Sequence, residues 1–238
     1  MRMKRRTRWH NMVATLVGGL AVASLPGRAV AEPDGLRPVH FDKRHRVDVT
    51  QPPWRVMGRL QTELGTRCTG FLIAPNVVMT AAHCLWLAES GHFTRPHSVH
   101  FLRAYHRGHY AAEARAIHII IAPGFDPTRA IATAQADRAT IVLERPMVTS
   151  ADIPPILTPR AGDDAAIVGY EQDFPEIARG DQSCHVTAVS GRLIRHNCTT
   201  THGASGAPIM IRREGKWGIG GITTLSDGRG GGAGVGLW

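Results

Sequence analysis

Short apolar runs, separated at close intervals by glycine, proline and asparagine, follow one another from residue 54 to the end of the chain. Such runs, bounded by turn residues, predict short β-strands. No stretch has the sustained 3.6-residue period of a core helix. The pattern therefore predicts an all-β protein built from antiparallel strands, as a barrel or a sandwich. The predicted strands are 54–60, 67–74, 76–82, 97–102, 114–121, 138–143, 165–170, 184–189, 192–197, 207–212, 217–223 and 233–237.

A proline-containing segment at 148–160 divides these runs into two series. Its three prolines and lack of a strand pattern are typical of an extended linker. We therefore predict two β-rich halves, residues 54–147 and residues 148–238.

The first 31 residues have the parts of a secretory signal peptide. Five basic residues precede an apolar stretch at 12–25, and Ala-Val-Ala at 29–31 fits the small-x-small cleavage rule. The apolar stretch is 14 residues long, shorter than the roughly 20 that cross a bilayer as a helix. We expect an exported protein, secreted or periplasmic, with no membrane attachment after cleavage near Glu32.

Residues 32–53 show little periodicity and contain many proline, arginine and aspartate residues. We interpret them as an N-terminal arm on the surface or as a propeptide, and assign them no chemistry. The positions at which such a propeptide would be cut are Lys43, Arg44 or Arg46.

The positive charge of the chain is concentrated in the signal segment. The whole chain has a formal net charge of +9, from 28 basic and 19 acidic residues. Six basic and no acidic residues lie in 1–31, which leaves +3 on the remainder. Nucleic-acid binding requires a basic face on the mature domain. We therefore expect no nucleic-acid partner.

Small residues surround Ser205 in the stretch Gly-Ala-Ser-Gly-Ala-Pro at 203–208. Glycine at 203 allows a turn in which the N–H groups of Gly203 and Ser205 point into one small pocket. A serine hydroxyl becomes a nucleophile when a base takes its proton and such donors stabilise the resulting oxyanion. Taken alone, the stretch is better explained as a glycine-serine loop without chemistry, because such loops are common.

Two upstream motifs favour the catalytic interpretation. Thr-Ala-Ala-His-Cys at 80–84 follows two apolar runs, and Asp137 directly precedes the apolar strand that ends at residue 143. With the serine motif, these stretches resemble the three motifs of the chymotrypsin-like serine proteases, in that family's order of His, Asp and Ser. The resemblance extends from residue 54 to the end of the chain. It implies two antiparallel β-barrels with the active site in the cleft between them.

The resemblance also implies a role for each site residue. His83 would take the proton from Ser205, and Asp137 would orient the imidazole and stabilise its cation. The backbone N–H groups of Gly203 and Ser205 would form the oxyanion hole. The reaction would be hydrolysis of a polypeptide through an acyl-enzyme, by a monomer without a cofactor or metal. Asp126 is the alternative to Asp137, but it lies between Phe and Pro in a turn setting.

The resemblance predicts the substrate preference only in part. Thr199 stands where trypsin has the aspartate that selects Lys and Arg, so basic P1 residues are disfavoured. Ala204 replaces the aspartate with which a new N-terminus pairs in animal digestive proteases, and the chain looks more like the bacterial branch that includes glutamyl endopeptidases. In that branch a Thr or Ser and a His bind the substrate carboxylate. Thr200 fits the first role, whereas Thr223 stands where the His is expected, so a preference for glutamate stays open.

All four cysteines lie in the exported part, and an even number suggests two disulfides with three possible pairings. The resemblance implies that Cys68 pairs with Cys84. Cys184 and Cys198 bracket a predicted hairpin that turns at 190–191, and they form the second pair. Zinc binding is the competing interpretation, but no C-x-x-C pair supports it.

Three other interpretations compete with a protease. The histidine-rich run at 92–109 has irregular spacing, which favours a solvated surface over a metal site. An α/β-hydrolase needs glycine at position 207 and a histidine later in the chain, but Ala207 stands there and no histidine follows His202. A protease fold that binds without turnover is the remaining alternative.

Overall fold

The computed structural model describes residues 42–228 and 230–238, which belong to a single structural unit, His40–Trp238. The predicted signal peptide and residues 32–41 of the arm lie outside the described residues. Within the described ranges the chain forms fifteen strands and six short 3-10 helices, with no α-helix. None of these helices has the length and apolar character that crossing a membrane requires.

The strands, numbered in chain order, are β1 (His45–Arg46), β2 (Met57–Thr62), β3 (Arg67–Ala74), β4 (Val77–Thr80), β5 (Trp86–Leu87), β6 (His92–Phe93), β7 (Val99–Arg103), β8 (Ala112–Ile121), β9 (Ala139–Leu143), β10 (Asp164–Gly169), β11 (Arg179–Ser190), β12 (Leu193–His196), β13 (Pro208–Arg213), β14 (Lys216–Ser226) and β15 (Gly232–Gly236).

Six strands of the first half close into an antiparallel barrel in the order β2-β3-β4-β9-β8-β7. The alternation of buried and partly exposed residues along β9 shows how the sequence specifies this arrangement, since Ala139, Ile141 and Leu143 are buried and their neighbours are less so. The aromatic rings of Phe71 and Phe101 are fully buried in the same core. Closure leaves these six strands without a free edge.

Six strands of the second half form another antiparallel ring, in the order β11-β10-β13-β14-β15-β12, because β11 also pairs with β12. A second buried cluster fills its interior and includes Ile167, Val186, Ile194, Ile209 and Ile211. Strand β1 adds to β11 outside the ring, with His45 opposite Gly180. The prediction of an all-β fold with two antiparallel barrels is therefore confirmed.

The predicted and observed strands differ in a few places. The prediction of strand at 54–56 was wrong, because Trp54–Val56 forms a 3-10 helix whose Trp54 N–H donates to the carbonyl of Gln51 at 2.9 Å. The hairpin between β11 and β12 turns at 191–192, one residue later than predicted, since Ser190 pairs with Leu193. Strands β1, β5 and β6 have two residues each, which is too short for a period-2 pattern to be visible.

Both disulfides form between the cysteines expected from the sequence. Cys68 in β3 joins Cys84, which lies in the 3-10 helix Ala82–Leu85. Cys184 in β11 joins Cys198, just beyond β12. One crosslink therefore belongs to each barrel.

Candidate active site

The pairing of β4 with β9 brings His83 to Asp137. Thr80 at the end of β4 lies opposite Ala139 at the start of β9, so the chain leaving β4 passes the chain that enters β9. Asp137 Oδ1 accepts the backbone N–H of His83 at 2.9 Å, and Oδ2 lies 2.6 Å from His83 Nδ1. Asp137 is buried, with 4% of its surface exposed. The imidazole is therefore fixed through Nδ1, with Nε2 left for a substrate or nucleophile.

Asp126, the alternative considered from the sequence, does not reach this site. Its carboxylate accepts the backbone N–H of Thr128 at 2.9 Å and pairs with Arg129. The hydrogen bonds from these two residues lower the pKa of Asp126 to about 2. Asp126 therefore caps the 3-10 helix Pro127–Arg129 at the surface.

Ser205 lies where the two barrels meet, three residues before β13 begins. Its carbonyl accepts the backbone N–H of Thr69, from β3 of the first barrel, at 2.9 Å. Ser205, His83 and Asp137 line one cavity of about 360 Å³. No hydrogen bond joins His83 Nε2 to Ser205 Oγ among the described residues. The structure thus brings the predicted nucleophile and base into the same cleft without bonding them.

Glycine at 206 is required by the close approach of the two barrels behind Ser205. Its φ of +83° is in the left-handed region, and an added Cβ would lie 2.1 Å from the Thr69 carbonyl oxygen and 2.2 Å from Thr80 Oγ1. Its N–H donates to the carbonyl of Thr223 at 2.8 Å. The backbone after the serine therefore lies between the first barrel and β14.

The turn before Ser205 is held from both barrels. Thr69 Oγ1 donates to the carbonyl of Gly203 at 3.0 Å and accepts the N–H of Tyr170 at 2.9 Å. The N–H of Ala204 donates to the carbonyl of Thr201 at 3.2 Å. Within the described part of the chain, the N–H groups of Gly203 and Ser205 donate to no protein acceptor. Neither predicted oxyanion donor is therefore occupied by a protein group, although Gly203 lines a neighbouring cavity and Ser205 the cavity of His83.

The three threonines assigned to substrate binding occupy different positions. Thr223 lines the cavity of the serine, and Thr200 lies beside it, because the Thr200 carbonyl accepts the hydroxyl of Ser226, another lining residue, at 2.5 Å. Thr200 and Thr223 are each 2% exposed, and their hydroxyls have no hydrogen-bond partner among the described residues. Thr199 is half-buried and its N–H donates to Asp181 at 3.0 Å.

His196 in β12 is a buried polar residue that no sequence motif marks. It is 3% exposed, and burial lowers its pKa to about 4, so the ring is neutral at pH 7. Nδ1 accepts the N–H of Cys198 at 3.3 Å, and Nε2 has no partner in residues 42–228 or 230–238. No short-range pattern marks it, because its burial depends on the pairing of β12 with Gly232 in β15.

One cluster of potential metal ligands occurs among the described residues. It consists of Cys68, His83 and Cys84, but both sulfurs belong to a disulfide. Metal ligation by cysteine requires a thiolate, so these residues do not form a metal site. In the histidine-rich run, His100 pairs with Glu113 at 2.8 Å.

The Trypsin family model matches residues 43–236. A solved structure described as a Glu endopeptidase in complex with MPD superposes with a TM-score of 0.69 at 20% sequence identity, over 82% of this chain and 91% of that chain. No curated protein matches the sequence. At this identity, the solved structure supports the fold alone. Because the family model spans most of the chain, including both barrels, the protein belongs to the trypsin family and is a serine endopeptidase.

Proposed function

We propose that this protein is an exported endopeptidase that cleaves polypeptides through a triad of His83, Asp137 and Ser205. The observation that carries the proposal is the double contact of Asp137 with His83, at the backbone N–H and at Nδ1, in the cavity that Ser205 lines. A buried carboxylate on Nδ1 selects the tautomer whose Nε2 can accept a proton.

In this mechanism, Ser205 Oγ attacks the scissile carbonyl carbon while His83 Nε2 takes the hydroxyl proton. The N–H groups of Gly203 and Ser205 bind the oxyanion of the tetrahedral intermediate. The imidazolium then protonates the leaving amine, which leaves an acyl group on Ser205. Water attacks the ester with His83 as base, releasing the carboxylic acid and restoring the serine. Catalytic hydrogen bonds are often long without substrate and tighten when it binds.

The proposed site of action is outside the cytoplasm, as a monomer. The signal-like segment 1–31 supports export. The two disulfides are typical of oxidising compartments. The low net charge of the remaining chain supports a polypeptide substrate over a nucleic acid.

A catalytically silent binding protein is the alternative. Such a protein has no need for an oriented base or for unpaired oxyanion donors. Here the His83 ring is oriented by Asp137, and the N–H groups of Gly203 and Ser205 are free within the described part of the chain. These features favour turnover.

Labelling with a fluorophosphonate tests the proposal, because this reagent phosphonylates only an activated serine hydroxyl. We expect one adduct, which peptide mass spectrometry places on Ser205, and none in Ser205→Ala. Ser183→Ala, which changes an exposed serine in β11, should label at the wild-type rate. If the wild-type protein is folded, as judged by circular dichroism, but is not labelled, the result would contradict the proposed triad and support the binding-protein alternative.

We propose that Thr200 and Thr223, with Thr199 behind them, form the P1 pocket. Unpaired buried hydroxyls favour a side chain that can hydrogen-bond, so Glu or Gln should exceed Lys and Arg in a peptide library scored by P1 residue. Thr223→Val should reduce this preference by about 10-fold, the effect of one lost hydrogen bond. A flat or apolar P1 profile would exclude a preference for glutamate.

A further inference from the structure

A charged group links the N-terminal segment to the second barrel. Its members, called the arm cluster below, are Asp42, Arg44, Glu171, Asp173 and Arg179. Arg44 lies just before β1 and is 6% exposed. Its guanidinium donates to Glu171, to Asp173 at 2.6 Å and to Asp42 at 2.9 Å. Arg179 donates to the Arg44 carbonyl at 2.6 Å, which fixes the backbone of the segment.

The arm cluster is bonded directly to the loop that carries the oxyanion donors. Glu171 Oε1 accepts the backbone N–H of Thr201 at 2.9 Å, and Arg44 Nη1 donates to Thr201 Oγ1 at 3.2 Å. The Thr201 carbonyl in turn accepts the N–H of Ala204. The next residue after Glu171 adds a further bond, from Gln172 N–H to the carbonyl of residue 202 at 2.7 Å. Residues 171–172 therefore hold 201–202, immediately before Gly203.

Glu171 depends on Arg44 because its carboxylate is almost completely buried, with 1% exposure. Burial raises the pKa of Glu171 to about 7, against the opposing effects of the Thr201 N–H and the Arg44 charge. Asp173 is the other charged group facing Glu171, and its negative charge raises that pKa further. Arg44 is thus the cation that compensates the buried charge, and a buried carboxylate without its partner is strongly destabilising.

We propose that Arg44 is a positioning residue of the protease: it neutralises Glu171 beneath Thr201 and so orders the loop 201–205 that presents the oxyanion donors. The proposal rests on the proposed function. In animal digestive proteases a newly formed N-terminus pairs with an aspartate at the position of Ala204. Ala204 has no carboxylate, and here the Arg44 guanidinium brings a positive charge to another point of the same loop, Thr201. It follows that the segment carrying Arg44 remains attached in the active form.

The central comparison uses Arg44→Met and the double variant Arg44→Met/Glu171→Gln in the full chain. Arg44→Met should lower both kcat and the rate of fluorophosphonate labelling by about 100-fold, the effect of losing an oxyanion donor, while KM changes by less than about threefold. In the double variant, glutamine still accepts the Thr201 N–H but carries no charge. We therefore expect kcat within about 10-fold of wild type.

Arg46→Met is the matched control. Arg46 is an exposed arginine of the same segment whose guanidinium has one hydrogen-bond partner among the described residues, His106 at 3.5 Å. It has no bond to the loop 201–205. Its kcat and labelling rate should stay within about twofold of wild type.

The pH profile distinguishes a charge effect from a general loss of structure. Arg44 lowers the pKa of Glu171, so without Arg44 that pKa should lie above about 7. Protonation removes the unpaired charge, and the ratio of Arg44→Met activity to wild-type activity should therefore rise as pH falls from alkaline values towards 7. In the double variant residue 171 no longer titrates, so its activity should lack the gain that Arg44→Met shows as pH falls. A merely structural role for Arg44 would give parallel profiles in both variants.

The outcomes separate this inference from the proposed function. Wild type that does not label would contradict the proposed function. If wild type labels, equal labelling of Arg44→Met would overturn the inference, as would an N-terminus of the labelled protein beyond residue 44 by intact mass. If Arg44→Met does not accumulate in folded form, the double variant decides: a folded double variant still 100-fold impaired would also overturn it.

Discussion

Replacing Asp137 with asparagine is expected to lower kcat by about 10⁴-fold, the magnitude found for this change in chymotrypsin-like triads. Asp137 presents one oxygen to the backbone N–H of His83 and the other to Nδ1. Asparagine has only one oxygen, and if it accepts the backbone bond, the amide NH₂ faces Nδ1. The ring would then carry its proton on Nε2, where it cannot accept the proton of Ser205.

Asp126→Asn is the matched control for this substitution. Asp126 lies in the loop before β9 and bonds Thr128 and Arg129, and its carboxylate is far from buried, with 31% exposure. Its replacement should leave kcat within about twofold of wild type and cause little change in stability, because asparagine can also cap the helix Pro127–Arg129. Steady-state hydrolysis of a peptide substrate and urea denaturation measure both quantities. Equal activity losses in the two variants would contradict the assignment of Asp137.

The second large effect is expected for Gly206→Ala. The added methyl group would lie 2.1 Å from the Thr69 carbonyl oxygen and 2.2 Å from Thr80 Oγ1, and both neighbours are buried. The left-handed φ adds about 1–2 kcal/mol for a residue with a Cβ. The total should exceed about 4 kcal/mol, the range of exceptional single substitutions. The variant should lose most of its stability in urea denaturation, and its labelling at Ser205.

Gly215→Ala separates the backbone cost from the steric cost. Gly215 has a similar φ of +76°, but an added Cβ would meet no atom within 4 Å. This variant should therefore show the strain of about 1–2 kcal/mol alone, with normal labelling. If both glycine variants lose the same stability, the contact between the barrels is not the reason for glycine at 206.

The strand pattern was sufficient to predict an all-β fold, whereas the two barrels and the selection of His83 and Asp137 came from the resemblance to a protease family. Alternating apolar residues specify which face of a strand is buried, as in β9, and an aspartate directly before such a strand lies at the edge of the barrel. The same pattern distinguished Asp137 from Asp126, whose neighbours specify a turn. The catalytic interpretation of these positions came from motifs, since the strand pattern carries no chemistry.

The arm cluster could not be predicted in this way. Arg44 and Glu171 are 127 residues apart, and each stands in a segment with no periodic pattern. Their pairing depends on β1 joining β11 of the second barrel. The unpaired nitrogen of His196 has a similar origin, because its burial requires β15, from the end of the chain, to pair with the hairpin of β11 and β12. Polar groups that are buried by contacts between distant segments can therefore be identified only from the complete fold.

The disulfide between Cys68 and Cys84 has a consequence for the cell that makes this protease. It closes a loop of 16 residues in sequence, worth about 3 kcal/mol, and ends within the short helix that carries His83. Cytosolic glutathione and thioredoxin keep thiols reduced, whereas oxidants outside the cytosol pair them. On the proposed route of export, a newly made chain would therefore lack this crosslink next to the proposed general base while it is still in the cytosol.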